Sequence, residues 1–297
     1  VFQIKGSCQL QPSTSATTRN GGEHQQAGSA VASRSAETMP QYSFKTAGEM
    51  KQMMRLPCNY VHDGFYLHQS NEILHQVYHS LLEMDDSVVP LMIEVGGHDG
   101  ITKSISLKAS ICLEMNVLLI EASPPNFNIL KRSRGYDSTV NAALCNQEFV
   151  LIAENRANTG ETRIQENGQF KVNCTSLDAE IERIQVKVEA ERGSKRVELI
   201  FLVLDVEKHE VEALKGLTKY TPRKAMIETT HLPTADMVWI LEWAAKKGLR
   251  GQPCDAYSIA ATDTCYNFGV DRTKAKTSYE LLYTARKSLV KHSYLTS

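Results

Sequence analysis

Apolar runs that stop at an acid recur along this 297-residue chain. Val88-Val89-Pro90-Leu91-Met92-Ile93 ends at Glu94, Leu118-Leu119-Ile120 ends at Glu121, and Phe201-Leu202-Val203-Leu204 ends at Asp205, with Glu207 two residues on. Between them apolar residues fall at three- and four-residue spacing, the period of helices that cover a sheet. The pattern predicts a helix over 66–84, with Leu67, Ile73, Leu74, Val77, Leu81 and Leu82 as its stripe and Ser70 as N-cap. It then predicts strand 91–95, a helix carrying Ile105, Leu107, Ile111 and Cys112, strand 117–121, and a helix opened by Pro124 and Pro125. A third strand is expected near 138–144, a short strand or edge at 149–153, and a polar insertion without a clear period at 154–170. Leu177, Ile181, Ile184 and Val188 mark a helix that Gly193 ends. Val197–Leu204, the most hydrophobic run, reads as the central strand. Helix 207–217, strand 225–228, helix 237–247 and late strands at 266–268 and 279–284 complete the reading. Strands alternating with helices predict an α/β fold: a doubly wound, Rossmann-like sheet with flanking helices.

Residues 1–45 are rich in Ser, Thr, Gln, Gly and Ala and bury too little to offset their ordering entropy, so they read as a disordered leader. Residues 46–87 form a cap helix region, and 88–297 the main domain. A chain that begins at Val1 is expected to be a fragment or a processed product, with room upstream for a signal peptide or anchor. The formal charge of −1 and a pI near 6.8 give no electrostatic case for nucleic acid. No apolar segment approaches the roughly 18 residues that cross a bilayer. The seven cysteines include no Cys-x-x-Cys, which argues against a structural zinc site, and no metal is assigned. Cys254 and Cys265 suit either a bridge in an oxidising compartment or two free thiols. Asn173-Cys174-Thr175 fits the N-glycosylation sequon.

The turn Glu94-Val95-Gly96-Gly97-His98-Asp99-Gly100 follows the first strand. A dinucleotide fold requires Gly-x-Gly-x-x-Gly, so that backbone can approach a pyrophosphate. Here the spacing is different, and Asp99 stands where it would repel phosphate. A cationic sulfonium with an amino-acid tail matches better, because Glu94 and Asp99 can accept from its ammonium or from a nearby water. Glu121 follows Gly100 at close to the interval of about 20 residues expected for an acid that takes both ribose hydroxyls.

Four segments in order resemble the FkbM family of methyltransferases: Ile93 to Gly100, Leu119-Ile120-Glu121-Ala122-Ser123-Pro124-Pro125-Asn126-Phe127, Val140-Asn141-Ala142-Ala143-Leu144, and Leu204 to Gly216. The resemblance spans about 88–232. It implies a class I methyltransferase that uses S-adenosyl-L-methionine, usually on a hydroxyl oxygen. It further implies that Glu94, Gly96 and Gly100 line the methionine moiety, with Gly97, His98 and Asp99 in the same turn. Glu121, beside Ala122, would hold the ribose, and Asn141 with Ala142 would lie near the adenine. One departure stands out: the family commonly has glycine after Asp-Val-Glu, where this chain has Lys208.

Methyl transfer to an unactivated hydroxyl requires an aligned acceptor and a base for its proton. Asp205, Glu207 and His209 are the catalytic candidates, with Glu228 and His231 after the next strand as further bases. Asp205, Glu207, His209 and His231 also form a conceivable cation set, which their spacing does not demand. His98 reads as a cleft wall, and Trp239 and Trp243 as core. The leading expectation is O-methylation of a small molecule or glycan. The alternative is a non-catalytic binding or trafficking module on the same fold, with a nicotinamide oxidoreductase third. The segments 66–84, 154–170 and 248–265 are expected to shape the acceptor pocket, and the compartment leans to secretory or extracytoplasmic.

Overall fold

The acid-ended runs become the middle of a seven-stranded sheet in the computed structural model, which describes residues 43–54, 67–102, 104–135, 137–155, 158–230, 232–253 and 265–270. In chain order the elements are α1 (Ala47–Met53), α2 (Leu67–Leu82), β1 (Val89–Val95), α3 (Leu107–Leu113), β2 (Asn116–Glu121), α4 (Pro124–Ser133), β3 (Ser138–Asn141), β4 (Ala143–Leu144) and β5 (Phe149–Asn155). Then come β6 (Asn158–Ile164), β7 (Phe170–Thr175), α5 (Leu177–Arg192), β8 (Val197–Leu204), α6 (Glu210–Lys215), β9 (Lys224–Glu228), α7 (Thr234–Lys246), β10 (Leu249–Pro253) and β11 (Cys265–Val270). The large sheet runs β10-β11-β9-β8-β1-β2-β3; β1, β2, β3, β8 and β9 are parallel, and β11 is antiparallel to both its neighbours. The α/β class expected from alternation is therefore the fold observed.

Strands buried on both faces need apolar residues at successive positions, and β1, β2 and β8 supply them. One face packs Val89, Leu91, Ile93, Leu202 and Leu204 against Ile181, Ile184 and Val188 of α5 and Ile240 and Trp243 of α7. The other packs Met92, Leu119, Phe201 and Val203 against α1, α2, α3 and Leu130 of α4. Ile200 and Phe201 are neighbours in sequence yet share this second face. The register explains it: Leu91 pairs with Leu199 but Met92 with Phe201, so β8 carries a bulge at Ile200 that resets its alternation.

Several expectations are corrected. Phe44, placed in the leader by its composition, is buried at 1% exposure, and its carbonyl accepts from Arg192 Nε at 2.7 Å. Residues 1–42 of the predicted leader lie outside the described residues, as does the late strand at 279–284. Helix α1 follows from a capping box that the sequence reading passed over. Thr46 Oγ1 accepts from Glu49 N, and Thr46 N donates to Glu49 Oε2. Helix α2 begins at Leu67, so Ser70 lies inside it instead of capping it. Segment 138–144 splits at Ala142: β3 joins the large sheet, while β4 joins a second sheet of order β4-β7-β5-β6. The expected polar insertion contains a strand, β6, antiparallel to β5. Cys145 and Cys174 are joined by a disulfide, and Cys112 is also disulfide-bonded. Cys254, half of the pair considered from sequence, lies outside the described residues. No helix among the described residues is long and apolar enough to cross a membrane.

Phe201 is fully buried at the sheet's centre. Phe201→Ala should destabilise the chain by about 3–5 kcal/mol in urea unfolding, and Val186→Ala, 65% exposed on α5, by less than about 0.5 kcal/mol.

Candidate active site

Strand order reverses at β1, which has β2 and β3 on one side and β8 on the other. In parallel sheets this reversal opens a crevice beyond the carboxyl ends of the two strands. Here those ends meet closely. Asp205 N donates to Val95 O at 3.2 Å, and a Cβ on Gly96 would stand 2.0 Å from Asp205 O. Gly96 also has φ +83, so both space and backbone conformation require glycine there. Gly96 N and Gly97 N donate to Ile120 O, tying the turn to β2. Gly100, at φ +76, lies over the Arg134 side chain.

Glu94 does not stand open to the crevice. It is 2% exposed; Oε2 accepts from Ser104 Oγ, Ser106 N and Ser106 Oγ, and Oε1 from Ile105 N at 2.6 Å. Its carboxylate therefore fixes the 104–106 segment. Arg134, fully buried, lies in the same network: Nη1 donates to Gly100 O and Ser104 Oγ, Nη2 to Ser106 Oγ, and Nε to Asp137 Oδ2 at 2.5 Å. Burial pushes the Asp137 carboxyl up, against the pull of Arg134.

Asp99 likewise serves its own turn. Its Oδ1 accepts from Ile101 N and Thr102 N, and its Oδ2 from Thr102 Oγ1. Burial raises this carboxyl, but those bonds outweigh it and hold it below the ordinary range. His98, at φ +48, has both ring nitrogens buried without a hydrogen-bond partner among the described residues; Asp99 Oδ1, 3.6 Å from Nδ1, is too far. Its backbone N donates to Glu121 Oε2 at 2.8 Å, while Ser123 N donates to Glu121 Oε1 at 2.7 Å. Burial and the nearby charge of Glu154 raise the Glu121 carboxyl against those two donors, to about 7. Ala122 follows at the strand end. Asn141 Nδ2 donates to Glu121 O and Ala122 O, so Asn141 braces the end of β2, with Ala142 buried beside it.

Across the crevice, carboxylate oxygens of Asp205, Glu207 and Glu228 come within 4.8 Å of one another. Such a group can share a proton or hold a cation. Burial and the charge of Glu228 push Asp205 well above the usual carboxylate range. Of the cation set considered from sequence, Asp205 and Glu207 are in this group and His209 is not; His231 lies outside the described residues. His209 precedes α6 without a side-chain capping bond, and burial lowers its pKa. The helix expected from 207 starts at Glu210 because Glu207 and Lys208 have φ +53 and +80. Lys208 thus occupies a left-handed position, where a non-glycine residue costs about 1–2 kcal/mol. Glu210 closes this turn: its Oε1 accepts from Val206 N and Lys208 N, and burial raises it to about 7.

Arg134, Asp137, Glu154 and Glu210 were not singled out from the sequence. Arg134 and Asp137 fall between the helix expected from Pro124 and the strand expected near 138, a stretch without a pattern of its own, and Glu154 opens the expected polar insertion. Glu210 lies in the first turn of the helix expected over 207–217, where an acid is ordinary.

A family profile described as Methyltransferase FkbM domain matches residues 94–248. Among solved structures, the chain is similar to precorrin-6y C5,15-methyltransferase from Geobacter metallireducens. The identity is 9%, covering 78% of this chain and 100% of that one, with TM-score 0.38. It is also similar to an FkbM methyltransferase from Methylobacillus flagellatus (14%; 60% and 42%; TM-score 0.38). A third is the magnesium protoporphyrin IX methyltransferase from Synechocystis with bound SAM (10%; 69% and 80%; TM-score 0.35). No curated protein matches the chain.

Glu121 gives this site a pH signature. Its folded pKa of about 7 lies above the ordinary 4.5, so the folded chain holds the proton more tightly than the unfolded one. That stabilisation is complete below about pH 4.5 and is lost as pH rises through about 7. Glu121→Gln removes the loss, so variant-minus-wild-type stability should climb between about pH 5 and about pH 8 in urea titrations. A difference that stays flat would show that Glu121 ionises normally.

Proposed function

The chain belongs to the FkbM methyltransferase family and uses S-adenosyl-L-methionine; on that footing we propose that it methylates a hydroxyl oxygen of a small molecule or glycan. The observation that carries this reading is the Gly96–Asp205 contact, which sets an acid-rich crevice wall directly beside a glycine turn.

The donor and acceptor set suits S-adenosyl-L-methionine. Each Glu121 oxygen accepts one backbone hydrogen bond and keeps a lone pair for one hydroxyl of a vicinal diol. His98 offers buried ring nitrogens that lack a partner among the described residues. Arg134, the cation beneath the turn, is spent on Gly100, Ser104, Ser106 and Asp137, which fits a sulfonium better than a pyrophosphate. When bound, the cofactor supplies an electrophilic methyl group.

In this reading Glu121 holds the ribose, and Gly96 with Gly97 forms the floor of the methionine site. Glu94 and Asp99 act one step back: their bonds shape the 96–106 turn, with the water-mediated or direct ammonium contact left to the turn's backbone. Asn141 and Ala142 border the adenine by bracing the end of β2. Asp205, with Glu228 and Glu207 beside it, takes the acceptor proton. A carboxylate whose pKa is raised by burial is a stronger base than one in water, which suits a hydroxyl donor. His209, lowered by burial, is neutral near pH 7 and serves as a second acceptor.

Titration calorimetry with S-adenosyl-L-methionine, followed by labelled-methyl transfer to a panel of hydroxylated small molecules and glycans, tests this. Glu121→Ala should weaken cofactor binding by about 10–100-fold, a loss of hydrogen bonds to a charged acceptor. Asp205→Asn should lower kcat by about 10²–10⁴-fold with cofactor affinity nearly unchanged. Tight binding without transfer to any acceptor would favour a binding module instead.

A further inference from the structure

We propose that Asn173 carries an N-linked glycan whose first sugar packs on Phe149, and that the chain matures in an oxidising, glycosylating compartment. Three independent observations meet at this residue. Asn173-Cys174-Thr175 is the one Asn-x-Ser/Thr in the chain, and Asn173 is exposed on β7. Cys174, inside that sequon, is bonded to Cys145, and Cys112 is disulfide-bonded too, an arrangement that persists where thiols are not kept reduced.

The third observation is the surface around Asn173. In the β5–β7 ladder Phe149 lies directly opposite Asn173, so the two side chains share a face. The alternate residues Val150, Ile152 and Val172 face inward and are buried. Phe149 stays 37% exposed, and Lys171 Nζ stands 3.6 Å from its ring centroid. A large aromatic ring left part-open next to an exposed sequon asparagine is a platform for the apolar face of an N-acetylglucosamine.

The transfer balances as a substitution at the sugar's anomeric carbon. Asn173 Nδ2 forms the new C–N bond and loses one proton, and the C–O bond to the pyrophosphate of a lipid-linked oligosaccharide breaks, releasing the lipid pyrophosphate. It has to precede folding. In the folded chain Thr175 Oγ1 donates to Glu180 Oε1 at 2.9 Å, and Asn173 is paired in the sheet. Once folded, the outward side chain keeps the sugar in solvent.

The test uses the full-length gene product, expressed under its own targeting information in eukaryotic cells. Digestion with peptide-N-glycosidase should shift its mobility by one glycan. Asn173→Gln and Thr175→Ala should both lack that shift, and Thr175→Ser should keep it. Alkylation before reduction should leave Cys145 and Cys174 unlabelled. The glycosylated protein should melt at a higher temperature than the digested one, and Phe149→Ala should erase that difference. Recovery of the Asn173 peptide without sugar from the wild-type protein would overturn the proposal, whether or not the cysteines are bonded. A melting difference unaltered by Phe149→Ala would overturn the packing on Phe149.

Discussion

The ends of β1 and β8 approach each other so closely that no side chain fits between them. A Cβ on Gly96 would collide with the Asp205 carbonyl, and the left-handed φ of Gly96 excludes other residues as well. Because the two strands are parallel neighbours with paired ends, Val95 against Leu204, the glycine turn and the acid-bearing loop are forced to face one another. The crevice at the strand reversal, the tie from Gly96 to Ile120 and the placement of Glu121 beside His98 all follow from that contact.

A site built this way gathers carboxylates, and the fold treats them in two ways. Glu94 and Asp99 are saturated by donors from their own loop, and Arg134 joins the network around Glu94, so these acids serve as local structure. Glu121, Asp205 and Glu210 are buried with fewer donors or with other acids near them, and their proton affinities rise. The first kind shapes the turn. Glu210 still spends one oxygen on its own turn, whereas Glu121 and Asp205 stand at the strand ends, where the proposed diol contact and proton acceptance fall.

How much of this the sequence disclosed depended on whether the signal was local. The buried parallel strands and most helices were legible, because β1, β2 and β8 are continuous apolar runs, α4 opens on Pro124 and Pro125, and α5 carries an apolar stripe that ends before Gly193. Gly96, Glu121 and Asp205 were legible as strand-end residues. Glu94 was read as a ligand contact because its four donors arrive from residues 104–106, which no spacing rule connects to it. Arg134 was passed over for the same reason: a buried arginine looks like a surface one until its partners are known. The departure at Lys208 became intelligible only through its φ of +80, a conformation in which glycine is the unstrained residue. Phe44 shows the limit of composition, since one aromatic anchor in a polar stretch reaches the core.

The central claim is that the cofactor lies across the ends of β1, β2 and β8. Amide hydrogen exchange by mass spectrometry, with and without saturating S-adenosyl-L-methionine, addresses it directly. Slowed exchange is expected at 96–102, 121–123 and 205–210, with the outer strands β5 and β7 unchanged. Saturable binding that protects other segments and leaves those three as they were would contradict the account.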